Sequence, residues 1–237
     1  MPFSPRPDEI PERLQAHFQG FLGAWPPRNP GITVVASTLR SMPGWDAKVH
    51  DMIGIVSPSG GVLSVPEHAV ERVDAIVSGT DLKADLAALH EHASTLSAAI
   101  GRTGSIEQDL FRWTERPTPA DDVGEWVATS DPRVPDWLRP FNGDLLVAWD
   151  DSGAYGAGVG RKQHDRHGHE LSVGTEPALR GRGLGRHLVA TVARRVLADG
   201  AIPTYVHVPD NHASAKVAEA AGFPDLGWTM LSFGQGS

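Results

Sequence analysis

The chain has 237 residues, a formal net charge of −8 at pH 7 and no cysteine. The acidic balance makes nucleic acid a poor partner, and the lack of cysteine excludes disulfides, thiolate metal ligands and a cysteine nucleophile. With 40% hydrophobic residues, the chain can form one large globular domain or two small ones. The proline-rich residues 1–7 lack the apolar stretch of a signal peptide, so we expect a cytoplasmic protein with no membrane partner.

The first half of the chain predicts an α+β unit. Its pattern indicates a short helix within residues 9–18, and β-branched runs predict a small sheet. The three predicted strands cover residues 32–36, 48–56 and 62–65. Helical spacing follows from Pro66 to Val77, and Leu82, Leu86 and Leu89 mark a further helix. Residues near 101–104 carry little pattern.

A junction and a second unit follow. Residues 115–124 combine proline, acid and glycine with few apolar residues, which is typical of a domain boundary. We therefore predict an N-terminal α+β companion domain over 1–118 and a second domain over 119–237. The pattern of the second domain alternates strands and helices after a hairpin. Its predicted strands are 145–149, 155–160, 169–175, 202–208 and a last strand pair around 228–233, which we expect to close its sheet.

The most informative stretch is a glycine and arginine turn at residues 179–186, followed by Leu188, Val192 and Val196 at helical spacing. Glycines allow a left-handed backbone and bring N–H groups close to a ligand, while the helix behind them adds the positive end of its dipole. Arginines at the same turn favour a pyrophosphate, whose oxygens several donors can share. The alternative is a solvated glycine-rich turn with no ligand.

The spacing Arg180-x-x-Gly183-x-Gly185, after a strand and before a long helix, resembles the acyl-CoA signature of the GNAT superfamily of N-acetyltransferases. The resemblance covers about residues 125–233. It implies an α+β fold in which a mixed central sheet with splayed parallel strands is flanked by helices, here with the smaller N-terminal α+β domain added. It also implies an opening for the pantetheine arm between residues 170–175 and 202–208.

A second landmark of the resemblance is Asn211 with Ser214, since family members place an Asn and a small hydroxyl near the CoA arm. The resemblance therefore implies acetyl-CoA as acyl donor and a primary amine of an unidentified acceptor as the group that is acetylated. The residues that it assigns to CoA binding are Val173, Gly174, Thr175, Arg180, Gly181, Arg182, Gly183, Leu184, Gly185, Arg186, Asn211 and Ser214.

For catalysis, the resemblance points to Glu170 as the base that takes a proton from the amine. An apolar strand can raise the pKa of such a carboxylate towards neutrality, although an idle strand glutamate is an equal alternative. The family often places a tyrosine acid where this chain has Ala218, so that role cannot be transferred. Tyr205 and His207 share one face of their strand and either could donate a proton, but packing is the commoner role for both.

Three other hypotheses compete with this one. The histidine-rich residues 164–169 predict a solvated hairpin loop rather than a metal site, so we expect no metal. Residues 181–186 could be a degenerate dinucleotide fingerprint, but the third glycine is replaced by Arg186. A catalytically silent acyl-CoA sensor also fits the turn.

The first domain is expected either to form the acceptor side of the cleft or to have a purely structural or oligomerising role.

Overall fold

The computed structural model describes residues 9–28, 31–79 and 91–233. The helix expected around Leu82, Leu86 and Leu89 lies outside the described residues. The chain divides into two compact units, one made of Met1–Phe111 with Leu226–Ser237 and the other of Arg112–Asp225. The domain boundary expected at 118/119 stays a prediction.

The first unit contains a mixed sheet and helices. Within it the strand order is β1-β3-β2-β10-β4, with β1 and β3 parallel and the other neighbours antiparallel. The strands are β1 (Ile32–Ala36), β2 (Ile53–Ser57), β3 (Gly60–Val65), β4 (Ile106–Trp113) and β10 (Trp228–Phe233). The helices are α1 (Glu12–Leu22), α2 (Val70–Gly79) and α3 (Ala93–Ile100).

Apolar side chains of α1 anchor an aromatic cluster in this unit. Phe18 is fully buried and its ring lies 4.5 Å from that of Trp25 and 5.9 Å from that of Trp228. Since aromatic rings bury large apolar areas, this cluster ties the helix to the C-terminal strand β10.

Three expectations for this unit need correction. The strand predicted over 48–56 is shorter, because only Ile53–Ser57 pairs in the sheet. The weakly patterned region near 101–104 is followed by β4, which the sequence did not predict. Residues 228–233 form one strand that pairs with β2 and β4, so they do not close the sheet of the second half.

The second unit has the strand order β9-β8-β7-β6-β5, with β8 and β9 parallel and the other neighbours antiparallel. Its strands are β5 (Glu125–Val127), β6 (Leu145–Trp149), β7 (Tyr155–Gln163), β8 (Gly168–Thr175) and β9 (Ile202–His207). Its helices are α4 (Leu184–Ala198) and α5 (His212–Ala220). The strands expected from 145 to 175 and over 202–208 are thus confirmed, with ends shifted by a few residues.

Helix α4 packs across β6, β7, β8 and β9. The predicted apolar positions Leu188, Val192 and Val196 are fully buried and join a core with Leu171 and Tyr205. Burial of such side chains stabilises a helix far more than its intrinsic propensity does. The helix ends at Asp199, and Gly200 then takes a left-handed backbone with φ of 89°, which glycine adopts without strain.

Glycines on β7 allow side chains of the segment before β6 to pack directly against the strand. A Cβ built on Gly160 would lie 2.7 Å from the ring of Phe141, and one on Gly158 would lie 2.9 Å from Leu138. Such distances are shorter than van der Waals contact, so only glycine lets these side chains rest on the strand backbone. The small residues of this strand are therefore explained by packing.

Among the described residues, no helix combines the length and the apolar character needed to cross a membrane.

The Gly160 contact yields a stability prediction. Gly160→Ala should lower the free energy of unfolding by about 1–3 kcal/mol, because the added methyl group overpacks against Phe141. Urea unfolding measures the change. In a Phe141→Ala background the same substitution should cost much less, since the ring that it meets is gone. An equal cost in both backgrounds would contradict the packing explanation.

Candidate functional site

Strands β8 and β9 pair over only part of their length. The register runs from Gly168 opposite Ile202 to Leu171 opposite Tyr205, and the residues that follow on both strands are outside the pairing. The end of β8 that contains Val173, Gly174 and Thr175 is therefore separate from the end of β9, and these residues are half-buried. The opening expected between these strands is present in the structure.

The glycine and arginine turn leads into α4 without a side-chain cap. Gly183 is the N-cap residue and has a left-handed backbone with φ of 80°, and no side-chain hydrogen bond caps this described helix end. Gly181 has φ of 78°, so both glycines are required by the backbone. The first N–H groups of a helix have no acceptor within the helix. This turn thus presents N–H donors that an anion can use.

Gly185 brings three elements together. A Cβ built on it would lie 3.4 Å from Val217 of α5, 3.6 Å from Thr175 and 3.7 Å from Val173 of β8. These are ordinary contact distances, so the first turn of α4 sits directly beside the open end of β8. The turn and the opening expected from the sequence are therefore parts of one continuous surface of the second unit.

The arginines of the turn are exposed and close to its backbone. Arg180 donates from Nε to the carbonyl oxygen of Thr175 over 3.1 Å. The guanidinium of Arg186 lies over Gly183, since a Cβ built there would be 3.1 Å from its Nε. Arg182 is exposed as well. Three guanidinium groups beside free N–H donors make this turn electropositive within an acidic chain.

Helix α5 begins differently from α4. Its N-cap Asn211 accepts a hydrogen bond from the backbone N–H of Ser214 over 3.0 Å, which is the usual role of Asn at this position. The hydroxyl of Ser214 lies 2.8 Å from that of Tyr205, where either can donate. Tyr205 is 2% exposed, and burial raises the pKa of its phenol. Asn211 and Ser214 thus lie beside the last paired residue of β9.

His207 has fixed hydrogen bonds at both ring nitrogens. Nε2 accepts from Nε of Arg112 over 3.1 Å, so Nδ1 carries the proton and donates to the carbonyl oxygen of Val208 over 2.9 Å. Arg112 also donates to the carbonyl oxygen of Phe223 over 3.1 Å. Because arginine cannot accept a hydrogen bond, this tautomer is dictated by its partner. The imidazole therefore has no proton to spare for a substrate.

Glu170 is a buried member of an ion cluster on β8. Lys162 donates from Nζ to its Oε1, and Nε2 of His164 lies 3.2 Å from its Oε2. Burial alone raises the pKa of this carboxyl, but the charge of Lys162 and the contacts with His164 outweigh it and lower the pKa to about 2. The expectation of a raised pKa was wrong, because Lys162 and His164 both contact this carboxylate.

The partners of Glu170 could have been found from the hairpin. Lys162 stands opposite Glu170 in the antiparallel pair of β7 and β8, and cross-strand neighbours of opposite charge attract. The turn between these strands contains His164, in the loop that the histidine-rich stretch predicted. In the described parts of the chain, no cluster of three or more His, Asp or Glu side chains suits a metal ion.

A cavity of about 500 Å³ lies beside the first turns of α4. Arg194 holds one of its walls, since it donates to the carbonyl oxygen of Ala120 over 3.0 Å and to Asp122 over 2.7 Å. The residues that line the cavity are Thr118, Pro119, Ala120, Asp121, Arg186, His187, Ala190 and Ala220. Arg186 belongs to both the turn and the cavity, so the two features adjoin.

Residues 107–223 match the family model of the acetyltransferase (GNAT) family. This region is a GNAT acetyltransferase domain. It is accordingly a GNAT-type N-acetyltransferase domain, and acyl transfer from acyl-CoA is the chemistry of its family. The resemblance drawn from Arg180, Gly183 and Gly185 is thereby confirmed, as is the α+β fold with a mixed sheet flanked by helices.

The solved structures that are similar to this chain have low sequence identity to it. An acetyltransferase of the GNAT family from Novosphingobium aromaticivorans is 23% identical over 56% of this chain and 66% of its own, with a TM-score of 0.47. One from Colwellia psychrerythraea is 13% identical over 64% and 74%, with a TM-score of 0.44. A phosphinothricin acetyltransferase from Sinorhizobium meliloti, solved with AcCoA, is 21% identical over 40% and 63%, with a TM-score of 0.32.

These TM-scores are below 0.5, so the family assignment rests on the match over residues 107–223. The comparison with curated proteins finds no significant match.

The Glu170 cluster predicts a pH-dependent contribution to stability. A carboxyl with a lower pKa in the folded than in the unfolded state stabilises the fold above its unfolded pKa, and this contribution is lost as the pH falls. The pKa of Glu170 falls from an ordinary value near 4.5 to about 2. This shift corresponds to a contribution of about 3 kcal/mol to the free energy of unfolding. Glu170→Gln should therefore destabilise the protein at pH 7 and differ progressively less from wild type between about pH 5 and pH 2.

Urea unfolding at several pH values measures this difference. Glu219→Gln, at an exposed position of α5, is the matched control and should leave the stability nearly unchanged. A Glu170→Gln penalty of the same size at pH 7 and at acidic pH would contradict the ion-pair explanation.

Proposed function

We propose that this GNAT-type enzyme transfers an acetyl group from acetyl-CoA to a primary amine by direct attack of the amine on the thioester. The observation that carries the proposal is the position of the α4 turn beside the open ends of β8 and β9. Free N–H donors at Leu184 and Gly185 suit the diphosphate. The gap that follows Leu171 and Tyr205 suits an extended, uncharged arm.

Both the backbone conformation and the charge of the turn suit a diphosphate. Gly181 and Gly183 have left-handed backbones, and the space that a Cβ would take at Gly183 adjoins the guanidinium of Arg186. Arg180, Arg182 and Arg186 supply charge-assisted donors around it. At the other end of the arm, the backbone around Val173 and Gly174 offers an N–H group to the acyl carbonyl oxygen, where negative charge develops during attack.

The cavity beside α4 suits the nucleotide end of CoA. Its volume of about 500 Å³ is in the range of small-ligand sites, roughly 300–1,000 Å³. Arg186 and His187 line it next to the turn, and Ala190 and Ala220 give it apolar walls. A guanidinium beside apolar surface fits a phosphorylated purine nucleoside, and Asp121 is the one acidic side chain of the lining. The acetyl donor is therefore proposed to be a full CoA thioester.

Glu170 is not proposed as the general base. A carboxylate whose pKa lies near 2 is a weak base, and both its oxygens already accept hydrogen bonds from Lys162 and His164. We propose instead that Glu170 fixes the paired end of β7 and β8. The kcat/KM of Glu170→Gln should then keep the pH profile of the wild type, whereas loss of the rise with pH would restore the base role.

A catalytically silent acyl-CoA sensor is the second candidate. Ala218 replaces the tyrosine that the family often carries, and it is fully buried in the core of the second unit. A screen of amines, amino acids, aminoglycosides and protein N-termini with acetyl-CoA separates the two. Thiol release is a clean readout because the chain has no cysteine. Binding of CoA without transfer to any amine would favour the sensor.

A cytoplasmic location remains an expectation from the sequence.

The turn gives a direct binding prediction. Gly183→Val should weaken CoA binding at least about 100-fold, because a β-branched side chain blocks the approach of the diphosphate to the backbone. Calorimetry with CoA measures it. Gly200→Val is the matched control, since Gly200 also has a left-handed backbone, lies after the other end of α4 and has open space around it. Equal affinities of the two variants would contradict the assignment.

A further inference from the structure

The opening between β8 and β9 has a closed end. Leu171 and Tyr205 are the last residues that pair, and the strands separate beyond them. An extended arm that starts at the α4 turn can follow the opening only as far as this pair. If acetyl-CoA binds as proposed, its thioester therefore comes closest to the side chains around Tyr205.

The reaction needs a proton at this place. When the amine nitrogen forms its bond with the carbonyl carbon and the C–S bond breaks, the electron pair of that bond goes to sulfur. An alkyl thiolate is moderately basic, with a thiol pKa of roughly 8.5. A positioned donor therefore assists its departure, by about 100-fold or more.

Several side chains near the closed end have no proton available. His207 uses its one N–H for Val208, and its other nitrogen accepts from Arg112. Tyr155, the other tyrosine of the chain, lies farther out beside Gly174, to whose carbonyl oxygen it donates over 3.0 Å. Ala218 has only a methyl group.

The hydroxyls of Tyr205 and Ser214 are arranged differently. They lie 2.8 Å apart and either can donate to the other. Tyr205 is almost fully buried, whereas Ser214 is half-buried in the first turn of α5. Ser214 therefore connects the buried phenol with the opening. Since burial raises the pKa of Tyr205, the phenol keeps its proton at neutral pH.

We propose that Ser214 and Tyr205 form a proton relay to the leaving sulfur. The Ser214 hydroxyl gives its proton to the thiolate, an S–H bond forms, and Tyr205 gives its phenolic proton to the Ser214 oxygen. The phenolate then recovers a proton through solvent, which balances the proton that the attacking nitrogen releases. Ser214 is the residue that touches the sulfur, and Tyr205 acts through it. This inference rests on the proposed transfer from acetyl-CoA.

Transfer kinetics test the relay with the best acceptor from the amine screen. Tyr205→Phe and Ser214→Ala should each lower kcat about 100-fold, and the double variant should lose little more, because both substitutions break one relay. Ser214→Thr retains a hydroxyl and should recover most of the activity. The Kd of CoA should stay within a few-fold of wild type in Tyr205→Phe. A kcat for Tyr205→Phe within about threefold of wild type, or multiplicative losses in the double variant, would overturn the relay.

Fluorine NMR gives a readout without any acceptor. The chain has two tyrosines, so 3-fluorotyrosine in a Tyr155→Phe background labels Tyr205 alone. CoA should shift its resonance clearly more than desulfo-CoA, which lacks the sulfur that the relay contacts. Equal shifts would overturn the relay and leave the proposed function intact. If calorimetry finds no CoA binding to the wild type, the proposed function fails and the relay with it.

Discussion

The candidate site depends on the point at which two parallel strands stop pairing. β8 and β9 pair only from Gly168 to Leu171 on one side and from Ile202 to Tyr205 on the other. Parallel strands that separate expose backbone N–H and carbonyl groups, which need partners of their own. In this unit those groups border a gap beside an electropositive turn. The unpaired backbone is therefore the feature on which the proposed binding of an acyl donor depends.

Side chains from several elements hold the separated strand end of β9 in place. Arg112 links the ring of His207 to the carbonyl oxygen of Phe223, which follows α5. Tyr205 packs against Phe223, with ring centroids 5.8 Å apart. A buried guanidinium is costly unless its donors are satisfied, so these contacts favour one position of the strand. The opening is thus a packed feature of the unit rather than a fluctuation of two strands.

Local patterns in the sequence predicted the parts that local chemistry decides. Helix α4 followed from its glycine turn and the spacing of Leu188 and Val192. Strand β4 was missed because Glu107 and Asp109 interrupt its apolar alternation. The pairing of β10 with β2 joins residues that are far apart in the chain, and no local pattern carries that information.

The same limit explains the chemistry of Glu170. Its carboxylate was assessed from its own strand, yet its pKa is decided by Lys162 across the hairpin. The register of an antiparallel hairpin follows from its turn, so opposite charges on facing positions are visible before a structure exists. Tyr205 differs in this respect. Its partner Ser214 lies on a helix that follows a loop. The distance between the two hydroxyls therefore could not be predicted from the spacing of these residues in the sequence.

The two helices that border the opening divide its roles through their first residues. Asn211 caps α5 with its side chain and uses the N–H of Ser214, whereas Gly183 has no side chain to cap α4. Both helices present a positive dipole end, but no side chain caps the first N–H groups of α4, which suits the anion-binding role proposed for it. Because the cap at α5 fixes Ser214, its hydroxyl is free to bond with Tyr205 instead. One glycine and one asparagine therefore account for the two different roles proposed for these helix ends, anion binding at α4 and proton transfer at α5.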